Sequence, residues 1–300
     1  MEKENVKKRF VLIVLALLCC GSSTEAQVTP ARLKVAILDF GNSTLGRETA
    51  DRFTAGLKSV SDLNLLDRDL SRVAARGSGY AGSLNLSVQE ARDLGEAIGC
   101  DFYILGDAQT LRRTSSSTPI YFESYASIFV VSSRSGKLMM WERPSFSADN
   151  AAAAQVKLFA KLAEQSYLRR FAETIANASV EEKTQRQLAI DQVPVIEEAP
   201  DDDKAAAATG LRLPRPYRRL RPVYPETAAR ADAEAVVDVL VDLDASGEVS
   251  RVDVTRWAGF GLDEATINTV RKLHFFPAMR DGNPVPMRVL LRYNFRRPVP

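Results

Sequence analysis

The chain is poor in the residues on which most site chemistry depends. Its 300 residues contain one histidine, three cysteines and two tryptophans. With His274 alone, histidine-based metal sites and Ser-His-Asp triads have almost no room. Cys19 and Cys20 lie in the first apolar run, so removal of that run leaves Cys100 by itself and permits no intramolecular disulfide. Cys100 follows a helical pattern and precedes an apolar one, which reads as a small buried hydrophobe. The formal net charge is only +2, so whole-chain charge favours neither nucleic acid nor a membrane surface. The apolar run from Phe10 to Cys20 falls well short of the roughly 20 residues of a spanning helix.

What is present begins with an export pattern. Lys3, Lys7, Lys8 and Arg9 precede the apolar run, and Thr24-Glu25-Ala26 offers small residues where a signal peptidase reads. Residues 1–26 are therefore expected to be a cleaved secretory signal, which makes the protein periplasmic. An uncleaved anchor is the alternative. A lipoprotein would need Gly, Ala or Ser before Cys19 or Cys20, and neither has one.

Hydrophobic periodicity then alternates. Residues 34–39 read as a buried strand, and Ala50, Phe53, Leu57 and Val60 mark an amphipathic helix over 47–60. A strand over 63–68 and a helix over 69–76 follow. Ser87 and Glu90 have capping-box spacing, with Gly99 as the helix stop. Residues 102–106 read as a strand, 121–132 and 137–146 as a hairpin closed at Arg134-Ser135-Gly136, and 150–190 as helix that turns polar beyond Ser179. This alternation predicts an α/β domain over 31–190.

Apparent catalytic motifs dissolve in context. Gly77-Ser78-Gly79-Tyr80-Ala81-Gly82 has dinucleotide-fingerprint spelling but follows a helix, whereas a working fingerprint follows a strand. Gly136-Lys137 lacks the upstream glycine of a phosphate loop. Asp67/Asp69 and Asp201/Asp202 read as cap, turn and linker residues. The expectation is a protein that is no enzyme and has no cofactor and no metal.

Val35-Ala36-Ile37-Leu38-Asp39-Phe40, Leu65-Leu66-Asp67-Arg68, Leu94 to Phe102, Gly106 and Ser135-Gly136-Lys137 together resemble the family of curli secretion protein CsgG, the FlgO lipoproteins and the N-terminal domain of TolB. That resemblance implies an envelope location and protein assembly. Residues 191–215 read as a flexible linker, acidic through Asp191, Glu197, Glu198 and Asp201 to Asp203, and stiffened by Pro194, Pro200 and Pro214. Arg212, Arg215, Arg218, Arg219 and Arg221 follow. They read as a solvated lead-in that pairs with the acidic linker, or as a contact for anionic envelope material or an acidic partner surface. Nucleic acid is not expected, because no aromatics are interleaved for stacking.

From residue 216 the pattern is a small α+β module. Val237, Val239, Val241 and Leu243 alternate with Asp238 and Asp242, and a turn at 244–248 returns the chain as 249–257. Leu262, Ala265, Thr266, Thr269, Val270 and Leu273 mark a helix. In the last strand Met287, Val289, Leu291, Tyr293 and Phe295 face one way, and Arg288, Arg292, Asn294 and Arg296 the other, interrupted only by Leu290. One crossing helix on a three-stranded antiparallel sheet leaves free edges, which are templates for another strand.

The order Arg221-Pro222-Val223-Tyr224-Pro225, Asp244 to Glu248, Gly261-Leu262-Asp263, Phe275-Phe276-Pro277-Ala278 and Asp281 to Pro286 resembles the C-terminal domain of the TonB family. The resemblance covers about residues 216–300. It implies binding of an outer-membrane transporter or another envelope protein by strand addition, with Met287, Arg288, Val289, Leu290, Leu291, Arg292, Tyr293 and Asn294 as the contact stretch. Self-association through the same edge is a further possibility. An energy transducer for outer-membrane transport, anchored by an uncleaved N-terminal segment, is the alternative. It needs an intramembrane histidine and a long proline-rich span, and this chain has neither in place. Membrane contact is expected only through partners or through such an anchor.

Overall fold

The computed structural model describes residues 32–114, 120–189, 196–200 and 203–297. The expected signal at residues 1–26 lies outside them, as do Asp191, Pro194, Asp201 and Asp202 of the expected linker. The N-terminal part runs β1 (Lys34–Phe40), α1 (Thr44–Val60), β2 (Asn64–Leu65), α2 (Arg68–Gly77) and α3 (Val88–Ile98). It continues as β3 (Phe102–Arg113), β4 (Tyr121–Ser132), β5 (Leu138–Glu142), β6 (Ser145–Ala148), α4 (Ala151–Leu162) and α5 (Gln165–Ala189). The sheet order is β2-β1-β3-β4-β5, with β6 also paired to β4. β1 is parallel to β2 and β3, while β4 is antiparallel to its neighbours.

Val35 to Leu38 form an unbroken apolar run because both faces of β1 are covered. One face packs Phe53, Leu57, Leu158, Leu162 and Phe171 of α1, α4 and α5. The other packs Ala75, Ala91 and Leu94 of α2 and α3. The capping box at Ser87 and Glu90 is formed, and Gly99 ends α3 at φ 76°.

The strand expected over 102–106 runs on to Arg113, paired with β4 throughout, and three other expected elements are cut short or divided. The strand expected over 63–68 stops at Leu65, because the Asp67 carboxylate accepts the Leu70 amide at 2.9 Å and starts α2. The second arm of the hairpin breaks into β5 and β6 at Arg143-Pro144, where proline offers no N–H to the ladder. The helix expected over 150–190 divides at Ala163-Glu164 into α4 and α5.

The C-terminal part comprises α6 (Asp203–Ala208), β7 (Leu211–Arg212), β8 (Arg215–Pro216), α7 (Glu226–Arg230), β9 (Ala235–Leu243), β10 (Val249–Arg256) and α8 (Leu262–Val270). β11 (Phe275–Phe276), β12 (Ala278–Arg280), β13 (Asn283–Val285) and β14 (Met287–Phe295) complete it. Its main sheet is the antiparallel trio β10-β9-β14. Val237, Val239, Val241 and Leu243 bury against Ala228, Leu262 and Val270. The chain is thus a mixed α+β fold with a C-terminal sheet domain, as its pattern predicts.

The described part of the expected linker is an ordered layer rather than a free span. β7 pairs with β12 and β8 with β11. Ala206 and Leu211 bury with Ala278 and Met287. The two parts also share a core. Trp257, only 2% exposed, stacks on Phe129 of β4 with ring centroids 6.1 Å apart, and its Nε1 donates to the Gly136 carbonyl at 3.0 Å. Asn85 clamps the junction. Its Nδ2 donates to the carbonyls of Val236 at 2.8 Å and Trp257 at 2.6 Å, and its Oδ1 accepts the Val236 amide at 3.1 Å.

Candidate functional site

β14 begins as plain alternation. Met287 and Phe295 are buried, and Val289, Leu291 and Tyr293 pack partly buried against the C-terminal core. Burial also pushes the Tyr293 hydroxyl up from its ordinary value. These five side chains serve the fold, with Val289, Leu291 and Tyr293 half-buried. On the opposite face, Leu290 is 54% exposed and Asn294 is exposed.

Arg288 and Arg292 have committed partners. They stand directly across from Asp242 and Asp238 of β9. Arg288 grips Asp242 through Nε at 2.6 Å and Nη2 at 2.9 Å, and Arg292 grips Asp238 at 2.7 and 2.9 Å. Both carboxylates are buried, so these forked pairs neutralise charges that the central strand holds out of water. The expected contact stretch therefore divides. Its arginines are cross-strand neutralisers, its odd-numbered residues pack toward the core, and what faces outward is the backbone edge with Leu290, Asn294 and the exposed Arg292.

That edge has two halves. At its start the Arg288 amide donates to the Glu197 carbonyl at 2.8 Å, and the Ala199 amide donates to the Arg288 carbonyl at 2.8 Å. Glu198 thus sits opposite Arg288 in a parallel bridge. The Glu197 carboxylate also accepts from Arg280 Nη2 at 2.7 Å. Among the described residues the outer backbone bonds stop there, and the alternation of strand pairing turns Leu290, Arg292 and Asn294 outward like Arg288. Beside the open half lies a groove of about 610 Å³, lined by Arg221, Pro222, Tyr224, Arg292 to Phe295 and Arg296. Arg221 and Arg296 make no ion pair among the described residues, so the rim carries two uncompensated cations.

Sequence reasoning found β14 but missed this rim and the occupant at Glu197 to Ala199. The signal for the rim was present in the basic run that includes Arg221. Arg280, which lies outside that run, pairs with Glu197 of the acidic linker.

Other candidates are structural. His274 Nδ1 lies 2.9 Å from the Glu248 carboxylate at the β9–β10 turn. Burial pushes the Cys100 thiol up, which favours the unreactive form. The glycine-rich stretch Gly77 to Gly82 follows α2 and is tied by Tyr80 Oη donating to the Ser83 carbonyl at 2.9 Å.

Residues 221–296 match the family described as Gram-negative bacterial TonB protein C-terminal. No curated protein matches the chain. Among solved structures the chain is similar to the C-terminal domain of TonB from Pseudomonas aeruginosa, with 23% identity over 29% of this chain and 89% of that one, at a TM-score of 0.26. It is also similar to the hypothetical protein CT253 from Chlamydia trachomatis, with 13% identity over 48% of this chain and 98% of that one, at a TM-score of 0.33. A third is lipoprotein GNA1162 from Neisseria meningitidis, with 12% identity over 50% of this chain and 99% of that one, at a TM-score of 0.29. The family match implies an envelope location and supports a protein-binding role. No helix among the described residues is long and apolar enough to cross a membrane.

Proposed function

We propose that the chain is a periplasmic adaptor whose C-terminal domain binds an outer-membrane or periplasmic partner by adding a strand to the edge of β14. The observation that carries this reading is the stretch from Leu290 to Asn294, whose outward backbone groups have no backbone partner among the described residues and lie beside a basic groove. An unpaired edge gives affinity through main-chain bonds, and alternate side chains give selectivity. The N-terminal three-layer part acts as the base that docks into an envelope assembly. The reading gives the chain no bond-making step.

The test uses the whole chain as bait on envelope extract. Leu290→Pro removes one outward N–H, and edge strands tolerate proline where that group faces solvent. Val289 is the wrong position for the same test, because its backbone faces β9. The expected result is an outer-membrane protein retained by the wild type, lost with Leu290→Pro and weakened by Arg296→Glu. Capture of the same proteins by all three would reject strand addition.

A further inference from the structure

The resident occupant at the start of the edge shows what chemistry the edge accepts. Resting on the strand-addition reading, we infer that β14 selects acidic extended segments in parallel orientation, and that Glu197–Ala199 is a built-in competitor which such a partner displaces. The occupant is acidic at two successive positions. Glu197 satisfies Arg280. The Arg288 guanidinium is held in its charged form by Asp242 first, with Glu198 adding to the same field.

Among the described residues, the rest of the edge repeats this electrostatic setting without an acid paired to it. Arg221 and Arg296 flank the groove beside the open half. A partner strand with acidic residues at its beginning and its end that ran past Arg288 would match Arg280 at the start and Arg296 at the end. It would replace the two resident backbone bonds and gain those at Leu290, Arg292 and Asn294. The occupant is tethered to the domain through Ala206 and Leu211, which bury against Met287. Tethering holds it near the edge at an effective concentration of about millimolar, enough to exclude weak or wrongly charged strands.

The experiment measures anisotropy of a fluorescein-labelled peptide copying residues 192–200 against the full chain and its Ala199→Pro variant. Ala199→Pro removes the donor to the Arg288 carbonyl in the resident copy and leaves β14 intact. Circular dichroism melting verifies that the variant folds, and exchange of the Arg288 amide reports whether the edge has opened. The expected result is peptide affinity on the order of tenfold higher for Ala199→Pro, with faster Arg288 exchange. A peptide with lysine at the positions of Glu197 and Glu198 should lose that gain. Equal affinity in the two proteins, including no binding in either, overturns the inference, as does equal binding of the lysine peptide. The strand-addition reading is judged separately by Leu290→Pro in the envelope capture, so either can fail while the other stands.

Discussion

Asp263 is placed where a carboxylate is costly, and its cost depends on pH. It lies in the first turn of α8, buried, and accepts the amides of Ala258 at 2.9 Å and Gly259 at 2.8 Å. Those bonds hold the loop that carries Trp257 into the shared core. Burial pushes its carboxyl up to about 6, against the downward pull of the two amides. An unfolded aspartate titrates near 3.9. Between these values the folded chain holds a proton that the unfolded chain has released, so this group's contribution falls as pH rises from about 4 to 6. The full swing is about 3 kcal/mol. Urea midpoints of wild type and Asp263→Asn should therefore diverge between pH 4 and pH 7, with the wild type losing ground at the higher pH. Parallel midpoints would show that the carboxyl titrates normally. Arg296 gives a contrasting case at the same scale. It makes no ion pair among the described residues, so Arg296→Glu should leave the melting temperature nearly unchanged while partner capture weakens.

At the scale of elements, β14 was fully legible as a strand and only half legible as a site. Period-2 alternation identified its buried face, because a strand covered on one side must place its apolar residues there. The same alternation could not show that Arg288 and Arg292 neutralise Asp242 and Asp238, since cross-strand register depends on how β9 and β14 align. Nor could it show that an acidic segment from before the domain returns to the edge at Arg288. Composition labelled that stretch a linker, because Glu and Pro are depleted in strands. One parallel bridge needs no strand propensity, only two backbone bonds and a cation nearby. The consequence for mutagenesis is positional. Proline at Leu290 or Asn294 should cost binding more than stability, whereas proline at Val289 should lower the melting temperature by breaking a bond to β9. Equal melting temperatures for Leu290→Pro and Val289→Pro would show that the assigned facing is wrong.

At the scale of the whole molecule, the junction at Asn85 makes the two halves of the described chain one mechanical unit. Periodicity could not anticipate it, because the partners lie far apart in sequence and Asn85 sits in a loop before α3. The Trp257 edge fits only because glycine stands at two close approaches. A Cβ on Gly259 would meet the Phe129 ring at 2.5 Å, and one on Gly136 would meet the Val88 carbonyl at 2.1 Å. Both glycines hold positive φ, 72° and 67°, so a substitution there is strained twice over. A partner pulling on β14 therefore loads the N-terminal sheet through β9, Trp257 and Phe129 instead of stretching a slack tether. Asn85→Ala tests this directly. It leaves the Val236 amide and the carbonyls of Val236 and Trp257 without their partner, at about 1–3 kcal/mol for each group that water cannot reach. Both tryptophans border the junction, since Trp141 lies 5.6 Å from Phe260 between ring centroids. Their fluorescence thus reports docking, while far-UV circular dichroism reports total secondary structure. The wild type should show coincident urea transitions by the two probes. Asn85→Ala should show the fluorescence change at lower urea than the loss of ellipticity, as the halves separate before either melts. A single coincident transition in Asn85→Ala at the wild-type midpoint would mean that the halves are held by something other than this clamp.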